Sequence, residues 1–425
     1  MAHAMRNHLV LPARIPVLAS LLALGTSADV LIVAPSAGPG VNATSIQTAV
    51  DLAQPGDTIL VRDGTYEDFR IWWKGVSVLA DGENVSVIAN SGFYGAQPAV
   101  SIQNIPANED VVVRGLRTNF GLRVSDCDGP VWFDEMEVQG GLTTGLCSGF
   151  SPGAWVTDSA AVTFSACSLI GDAGLPDVGI VSNGPGTGAT VGNANAAFYD
   201  CHLIGGEGAS TATFGFEGGP GLLLGGTSEV LLSNTRLQGG AGGVASSSVC
   251  TGSHGLGGPG LSFSTNDTLY SLASTAAGGA ADLTALCPGL YGPAGPAIEG
   301  TGSIQPLAGY ARSLQATSPV RGGADVTFTA IGQPGELPLV LVSERQEPLL
   351  LPNLSGSLLI GMPIADVLVL PNVSTTGTSE LTLPVPNIGL AVGSVDSYMQ
   401  AVFIDPAQGL WLGGGCTLTV VDASY

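Results

Sequence analysis

The sequence predicts an all-β protein in which a parallel β-helix is followed by an antiparallel β-sandwich. Three observations predict this fold. Five glycine-bounded segments between residues 121 and 278 repeat one strand pattern, and a short amphipathic stretch at 45–53 precedes them. After about residue 305 the glycine-rich links become rare, and six short strands separated by turns follow.

The first 28 residues have the features of an export signal. Arg6 and Arg14 give a positive start, and IPVLASLLAL at 15–24 is an apolar core of the usual length. Small residues then allow cleavage after Ala28. The apolar core is shorter than the roughly 20 residues that span a bilayer. We therefore expect residues 1–28 to be a signal peptide, and the mature chain to be secreted or held at the cell surface without a transmembrane anchor.

Composition limits the partners of the chain. Its formal charge is −22 over 425 residues, so nucleic acids and anionic membranes are excluded as expected partners. Gly 63 and Pro 27 make the chain rich in turn formers, yet 45% of its residues are hydrophobic and alternate regularly. This alternation predicts an ordered protein.

The repeat is the strongest signal in the sequence. Each unit has an alternating strand, a polar turn, a second strand, a bend to a small or soft residue, and a final apolar residue before glycine. The units occupy residues 121–140, 153–171, 188–205, 221–239 and 260–278. Stacking such units buries their apolar faces and pairs each strand with its equivalent about 4.8 Å away. The period is too short for two helices, and no propeller-blade signature is present.

The stretch 45–53 predicts a helix that covers the N-terminal end of this stack. Thr44 or Ser45 can cap the helix, and Pro55-Gly56 ends it. The strand TILV at 58–61 then begins the first coil. Four apolar residues share one helical face: Ile46, Ala49, Val50 and Ala53.

The segment IQTAVDLAQPGDTILVRDGTY at 46–66 resembles the N-terminal cap of pectin-lyase-like β-helix proteins, in which the pattern IQxAVxxAxPGDTIxVxxGxY recurs. With the repeats and two weaker coils at 69–89 and 99–116, the resemblance covers roughly residues 42–300. It implies a right-handed winding and a carbohydrate-related function. We therefore assign residues 29–305 to a right-handed parallel β-helix with an N-terminal cap.

Residues 306–425 predict the β-sandwich, because six or more short strands in about a hundred residues suit that fold. The stretch YMQAVFIDPAQG at 398–409 resembles a C-terminal sandwich module of exported bacterial repeat proteins, and this resemblance implies no activity. The strands are predicted at 325–332, 337–343, 356–361, 379–386, 397–405 and 416–422.

Asp126 and Asp158 occupy equivalent turn positions on neighbouring units. Two carboxylates at such a spacing can be the acid and base of a glycosidase. Alternatively, aspartates at these positions make the turn by bonding to their own backbone. Both interpretations stay open at this point.

Arg123 and Trp155 should point outward on adjacent coils, beside these aspartates. An aromatic ring, a guanidinium and carboxylates together suit a sugar-binding patch; ordinary solvated surface is the alternative. The resemblance implies a further role, since polysaccharide lyases of this fold use an Arg or Lys base, often with calcium. Arg123 is the one repeat-region arginine near suitable acids.

Four acidic residues in the glycine-rich links form a possible weak cation rim. Calcium needs several oxygens at fixed spacing, and the sequence has no EF-hand or nonapeptide calcium motif. No cofactor is therefore expected, with calcium as the possible exception. The rim residues are Asp172, Asp177, Glu207 and Glu217.

The seven cysteines fall into three groups. Cys167 and Cys201 occupy the same inward position on consecutive coils, which predicts buried, stacked thiols. The pairs Cys127–Cys147 and Cys250–Cys287 lie in turns and links where disulfides could form, and Cys416 would remain unpaired.

Three functions agree with these features. The first is a non-catalytic exported protein that binds glycan or mediates adhesion. The second is a structural envelope or matrix component, and the third is a polysaccharide lyase or glycoside hydrolase. The scarcity of basic residues and the lack of a convergent acid cluster favour the non-catalytic functions. The expected partners are extracellular polysaccharides or surface components.

Overall fold

The computed structural model has one short α-helix in an otherwise β fold, which confirms the predicted fold class. A parallel β-helix comes first and antiparallel sheets follow. The structure describes residues 28–89, 97–141, 152–174, 185–210, 215–244, 254–280, 292–389, 392–407 and 409–425.

The β-helix contains the helix α1 and 24 strands. In chain order these are β1 (Val30–Val33), α1 (Ile46–Leu52), β2 (Thr58–Glu67), β3 (Phe69–Trp72), β4 (Ser77–Ile88), β5 (Val100–Gln103), β6 (Val111–Arg114), β7 (Arg117–Thr118), β8 (Leu122–Ser125), β9 (Val131–Asp134), β10 (Glu137–Gln139), β11 (Ala154–Thr157), β12 (Val162–Ser165), β13 (Ser168–Ile170), β14 (Ala189–Gly192), β15 (Asn195–Tyr199), β16 (His202–Ile204), β17 (Leu222–Gly225), β18 (Glu229–Ser233), β19 (Arg236–Gln238), β20 (Leu261–Phe263), β21 (Thr268–Leu272), β22 (Thr275–Ala277), β23 (Ile298–Gly300) and β24 (Ser303–Pro306).

These strands pair in parallel and in register from coil to coil. An eight-stranded sheet has the order β23-β20-β17-β14-β11-β8-β5-β3, and a 16-stranded sheet supplies the other two sides of each coil. Ala154 pairs with Leu122 on one side and with Ala189 on the other, so equivalent residues of the repeats stack directly. This register confirms the stacked units that the sequence predicts.

The interior consists of ladders of like residues. The rings of Phe133, Phe164 and Phe198 stack with centroids 5.0 and 4.8 Å apart. Cys167 and Cys201 are buried free thiols on neighbouring coils, as predicted. Each donates to the last carbonyl oxygen of the strand before it at 3.2 Å.

The expected Cys127–Cys147 disulfide is wrong, because Cys127 is a free thiol that is 1% exposed. Its Sγ turns into the coil and lies 3.3 Å from the Ser125 carbonyl oxygen, not toward the surface link. Cys416 is free and buried, in agreement with the expectation that it stays unpaired. Cys147, Cys250 and Cys287 lie outside the described residues.

The N-terminal helix forms where the amphipathic pattern places it. The Ser45 hydroxyl accepts from the Thr48 N–H and caps α1, whose buried face includes Ile46 and Val50. Lys74 Nζ donates to two carbonyls at the helix C-terminus, those of Val50 at 2.6 Å and Ala53 at 2.8 Å. The helix therefore covers the first coil, and Ser45 and Lys74 satisfy backbone groups at its two ends.

The described parts of the glycine-rich links form regular layers, whereas the sequence indicates only connections between coils. They leave the coils as outgoing arms (171–174, 205–210, 239–244 and 278–280) and come back as return arms (185–188, 215–221, 254–260 and 292–297). These arms contain no strand, yet hydrogen bonds join each arm to its neighbours. Together they form an array beside the eight-stranded sheet.

The hydrogen bonds of this array repeat every three residues. Gly255 and Gly258 donate to Gly243 and Gly240 at 3.0 and 2.8 Å, while Gly257 and Gly260 donate to the carbonyls of Pro293 and Pro296. A three-residue period without internal hydrogen bonds is typical of polyproline II backbone. The arms therefore pack as polyglycine-type helices, parallel within each set and antiparallel between the two sets.

Packing of the arms requires glycine. A Cβ added to Gly240 would lie 1.8 Å from the Gly206 carbonyl oxygen, and one on Gly279 would lie 1.7 Å from that of Gly240. The obstructing atoms are backbone, so no side-chain rotation can relieve the contact. The high glycine content is thus a packing requirement, as it is at the axis of collagen.

The remaining strands form a sandwich. It has a three-stranded sheet (β25-β27-β32) and a five-stranded sheet (β26-β34-β33-β28-β31) that share an apolar core, and the hairpin β29-β30, whose Leu359 and Ile360 belong to a second apolar cluster. All six predicted strands are present. The strands are β25 (Ser313–Ala316), β26 (Val320–Arg321), β27 (Asp325–Ile331), β28 (Leu337–Ser343), β29 (Gln346–Leu351), β30 (Gly356–Ile360), β31 (Asp366–Val369), β32 (Thr378–Pro384), β33 (Ser394–Asp405) and β34 (Gly409–Val421), with a 3₁₀ turn at Pro352–Leu354.

The sandwich packs along the side of the β-helix, which the sequence analysis did not foresee. Outward-facing Leu60, Leu79 and Trp132 of the 16-stranded sheet are fully buried in one apolar cluster with Leu359 and Tyr398 of the sandwich. The Trp132 and Tyr398 rings stack with centroids 6.2 Å apart. One side of the coil is therefore a domain interface and not solvated surface.

Arg114 joins the two parts at this interface. Its guanidinium donates to Asp134 and Glu135 on the β-helix, each at 2.8 Å. It also donates to the carbonyls of Ala316 and Thr417 on the sandwich, each at 2.9 Å. Burial raises the pKa of Asp134 to about 6, although the Arg114 charge opposes that rise.

A second carboxylate, only partly accessible to solvent, lies at the same interface. Asp396 of β33 accepts hydrogen bonds from Ser77 and Thr419. Burial raises the pKa of Asp396, and the two hydrogen bonds only partly oppose this rise. The Asp110 charge adds to that rise, and Asp110 itself bonds to Tyr398. The interface therefore favours protonated carboxyl groups.

We expect Gly240→Ala to destabilise the protein by about 1–3 kcal/mol, because the new methyl group collides with backbone of the neighbouring arm. The matched control is Gly225→Ala in β17, where an added Cβ meets nothing within 4 Å. Urea unfolding of both variants measures the difference. Equal midpoints for the two variants would contradict the packed array.

We expect the free energy of unfolding to fall as the pH rises from about 4 to 7. A carboxyl whose pKa is raised from 3.8 to about 6, as for Asp134, contributes stability that is fully present below pH 3.8. That contribution is lost as the pH rises through 6. Denaturant unfolding at a series of pH values measures the profile.

Asp396→Asn should flatten this profile and raise stability at pH 7, since the amide stays neutral. Asp126→Asn, at an exposed turn, is the control and should leave the profile unchanged. A stability that is independent of pH in the wild-type protein would contradict the prediction.

Candidate functional site

The outer surface of the eight-stranded sheet is the candidate site, and we call it the open face. Arg70, Trp72 and Trp155 on this face are exposed to solvent. The glycine-rich arms lie along one edge of the open face, between β13 and β14 and the equivalent strands. A row of turns lies along the other edge.

In-register pairing aligns the outward side chains of the open face in columns. Arg123 pairs with Trp155, and Ser101 pairs with Arg123 from the other side. Arg70 precedes Ser101 in the same column. Because neighbouring strands lie about 4.8 Å apart, Arg70 and Trp155 are separated by roughly 14 Å along the stack.

The structure brings Arg123 and Trp155 together, with Asp126 and Asp158 at the adjoining turns. The Arg123 guanidinium carbon lies 5.3 Å from the centroid of the Trp155 ring, within cation–π distance. Asp126 and Asp158 follow the same two strands at adjacent turns, where the Asp126 N–H donates to the Thr157 carbonyl at 3.3 Å. The four residues identified from the sequence therefore share one face on two consecutive coils.

The backbone explains why aspartate occupies these turns. Asp126 and Asp158 have φ values of 57° and 47°, in the left-handed region that Asn, Asp and Gly tolerate best. Asn193 has φ 50° at the next equivalent turn and donates to Asp158 Oδ1 at 3.3 Å. The turn interpretation of the aspartates accounts for the residue type without a catalytic role.

The groups around Arg123 and Trp155 can bind polyhydroxylated molecules. Trp155 is 42% exposed and offers an apolar ring, while the Arg123 guanidinium carries N–H donors. The exposed Asp126 and Asp158 carboxylates supply acceptors at the end of each strand. A flat face with an aromatic ring between donors and acceptors has the components of a saccharide site.

Arg70 and Trp72 extend this site and were missed in the sequence analysis. The Arg70 guanidinium carbon lies 5.8 Å from the centroid of the Trp72 ring, so the first coil repeats the cation–π pair of the later coils. The alternation of apolar and polar or aromatic residues in FRIWW, residues 69–73, could have identified them, because it places Arg70 and Trp72 on the same outer side of the strand.

The cation rim does not form a metal site in the described part of the chain. Asp172 and Glu207 lie on neighbouring outgoing arms and Glu217 lies on a return arm; Asp177 is outside the described residues. Across the described ranges, no three His, Cys, Asp or Glu side chains are grouped to hold a metal ion. Burial raises the pKa of Asp172 to about 6.

The helical segments of the described ranges lack the length and hydrophobicity that a membrane span requires.

Comparison with known proteins adds no assignment. No protein-family model matches the chain, and a search of curated proteins finds no significant match to it.

Proposed function

We propose that this protein is an exported, non-catalytic glycan-binding protein that holds extracellular polysaccharide on its open face. The observation that carries the proposal is the exposed Trp155 ring with the Arg123 guanidinium beside it, on a flat parallel sheet. Aromatic rings bind the apolar faces of sugars, and charged groups bind their hydroxyls. Adhesion or matrix assembly is the role that such binding would serve.

The fold supports this proposal. Parallel stacking makes a rigid face on which binding groups keep fixed positions, so little conformational entropy is lost on binding. The other large side of the coil is buried under the sandwich, for example at Trp132. The cap motif at residues 46–66 supports a relationship to pectin-lyase-like right-handed β-helix proteins, many of which act on or bind carbohydrate.

A binding function agrees better with the aspartates than a lyase or hydrolase function does. Asp126 and Asp158 are exposed and occupy turns that select for such residues. Arg123, the candidate lyase base, already contacts the Trp155 ring. We therefore propose no catalytic step for these residues.

Export with cleavage after Ala28 is part of the proposal, and it would change one contact. The Asp29 nitrogen lies 2.9 Å from Asp57 Oδ1. Cleavage after Ala28 would turn this nitrogen into a charged ammonium, which would strengthen the bond to the carboxylate.

We expect the mature protein, expressed with its complete N-terminus in an export-competent host, to begin at Asp29. Mass spectrometry of the secreted chain measures this directly. An uncleaved chain retained in the cell would contradict the export proposal.

We expect Trp155→Ala to weaken polysaccharide binding by about tenfold, since an aromatic contact contributes roughly 0.5–1.5 kcal/mol beyond its buried area. Affinity electrophoresis in gels of neutral and acidic polysaccharides measures the change. Tyr310→Ala is the matched control, because it removes a ring that is 54% exposed on another surface. Equal retardation of wild type and Trp155→Ala in every polysaccharide, or no retardation of the wild type at all, would contradict the proposal.

A further inference from the structure

A cavity of about 300 Å³ opens at the N-terminal end of the open face. It lies between the cap helix α1 and the first strand of the eight-stranded sheet, β3. Its lining includes Gln47, Asp51, Asp68, Arg70, Trp72 and Lys74. The volume is at the lower end of the range for small-molecule sites.

Gln47 closes the edge of the sheet at this point. Its Oε1 accepts from the Arg70 N–H at 2.7 Å, and its Nε2 donates to the Arg70 carbonyl at 3.3 Å. The side chain thus takes the place of a neighbouring strand at the end of the ladder. The same Nε2 donates to Asp51 Oδ1 at 2.8 Å, which fixes that carboxylate at the cavity.

The adjacent Trp73 occupies a backbone position that disfavours it. It has φ 60° at the turn where the following coils have Asn104, Asp126, Asp158 and Asn193. The left-handed region is costly for a bulky residue, by about 1–2 kcal/mol. Trp73 does not regain this by burial, since it is 63% exposed. Strained, exposed residues of this kind are enriched at functional sites.

The charges of the cavity select a neutral ligand. Two cations, Arg70 and Lys74, and two carboxylates line the cavity, so the lining carries no net charge. The whole chain carries a net charge of −22. An anionic sugar would be repelled, whereas hydroxyl groups can donate to carboxylates and accept from the guanidinium.

We propose that this cavity binds the end of an uncharged saccharide chain, with a terminal sugar ring against Trp72. The cap helix closes the cavity on one side, so a chain lying along the open face ends here and does not continue past it. Arg70 and Ser101, which line the cavity, belong to the column that leads to Arg123 and Trp155. The proposal rests on the proposed glycan binding and adds the ligand class and the chain end.

The test is titration calorimetry on the full exported chain with trisaccharides and polymers of glucose, mannose and galactose, and with a uronic acid trisaccharide as the anionic probe. We expect at least one neutral trisaccharide to bind, and Trp72→Ala to weaken that binding by about tenfold. Trp72→Phe keeps an aromatic ring and should restore most of the affinity. Tyr310→Ala should leave it unchanged.

Trp73→Asn separates function from folding. Asparagine is the residue found at two equivalent turns, so this variant should raise the melting temperature by about 1–2 °C. We expect the same variant to bind the trisaccharide several-fold more weakly. A variant that is more stable and binds as tightly as wild type would overturn the role of Trp73 in the site.

The outcomes distinguish the two proposals. If the polymer binds through Trp155 but Trp72→Ala does not change trisaccharide binding, the cavity proposal fails and the proposed function stands. Preference for the uronic acid trisaccharide overturns the neutral ligand class. At equal mass, short polymer fractions should compete for the trisaccharide site more strongly than long ones; equal competition overturns chain-end binding. If no saccharide binds, both proposals fail.

Discussion

In-register backbone pairing between consecutive coils is the constraint on which the rest of the structure depends. Because strand pairs such as β8 and β11 match residue for residue, every side chain lies directly over its equivalent one coil away. Like residues then stack in the interior, as the rings of Phe133, Phe164 and Phe198 do. The same register places Arg123 beside Trp155 outside. Core and candidate site are therefore two consequences of one pairing rule.

The glycine-rich arms extend that rule beyond the strands. The described arms leave and re-enter successive coils at the same corner, so they are already aligned when the coils pair. Alignment alone would leave backbone groups unpaired, and these would need water or partners. Close approach of Gly206, Gly240 and Gly279 lets each arm supply hydrogen bonds to the next. A residue with a side chain at these positions would separate the arms and remove those bonds.

Much of this could be predicted from the sequence, because periodicity and turn chemistry are local signals. The stacked Cys167 and Cys201, the cap helix and the turn positions of Asp126 and Asp158 all follow from spacing within one unit. The position of the sandwich does not, since it depends on contacts between residues 300 or more positions apart, such as Arg114 and Thr417. The one usable signal was apolar character on both faces of strands such as VWFD, residues 131–134, where Trp132 is buried outward.

The candidate site was only half visible for a related reason. Arg123 and Trp155 lie in well-matched repeats, where outward positions can be counted, but Arg70 and Trp72 lie in a coil that departs from the pattern. That departure is itself informative. The first coil packs against the cap helix, whereas the later coils pack against a preceding coil. Its residues therefore do not follow the repeat pattern. Trp73 has a strained backbone conformation. It lies beside the contacts by which Gln47 and Lys74 join the cap helix to the first coil. Backbone strain persists where the surrounding contacts fix the conformation, and the junction of the cap helix and the first strand, which Gln47 and Lys74 hold together, meets this condition.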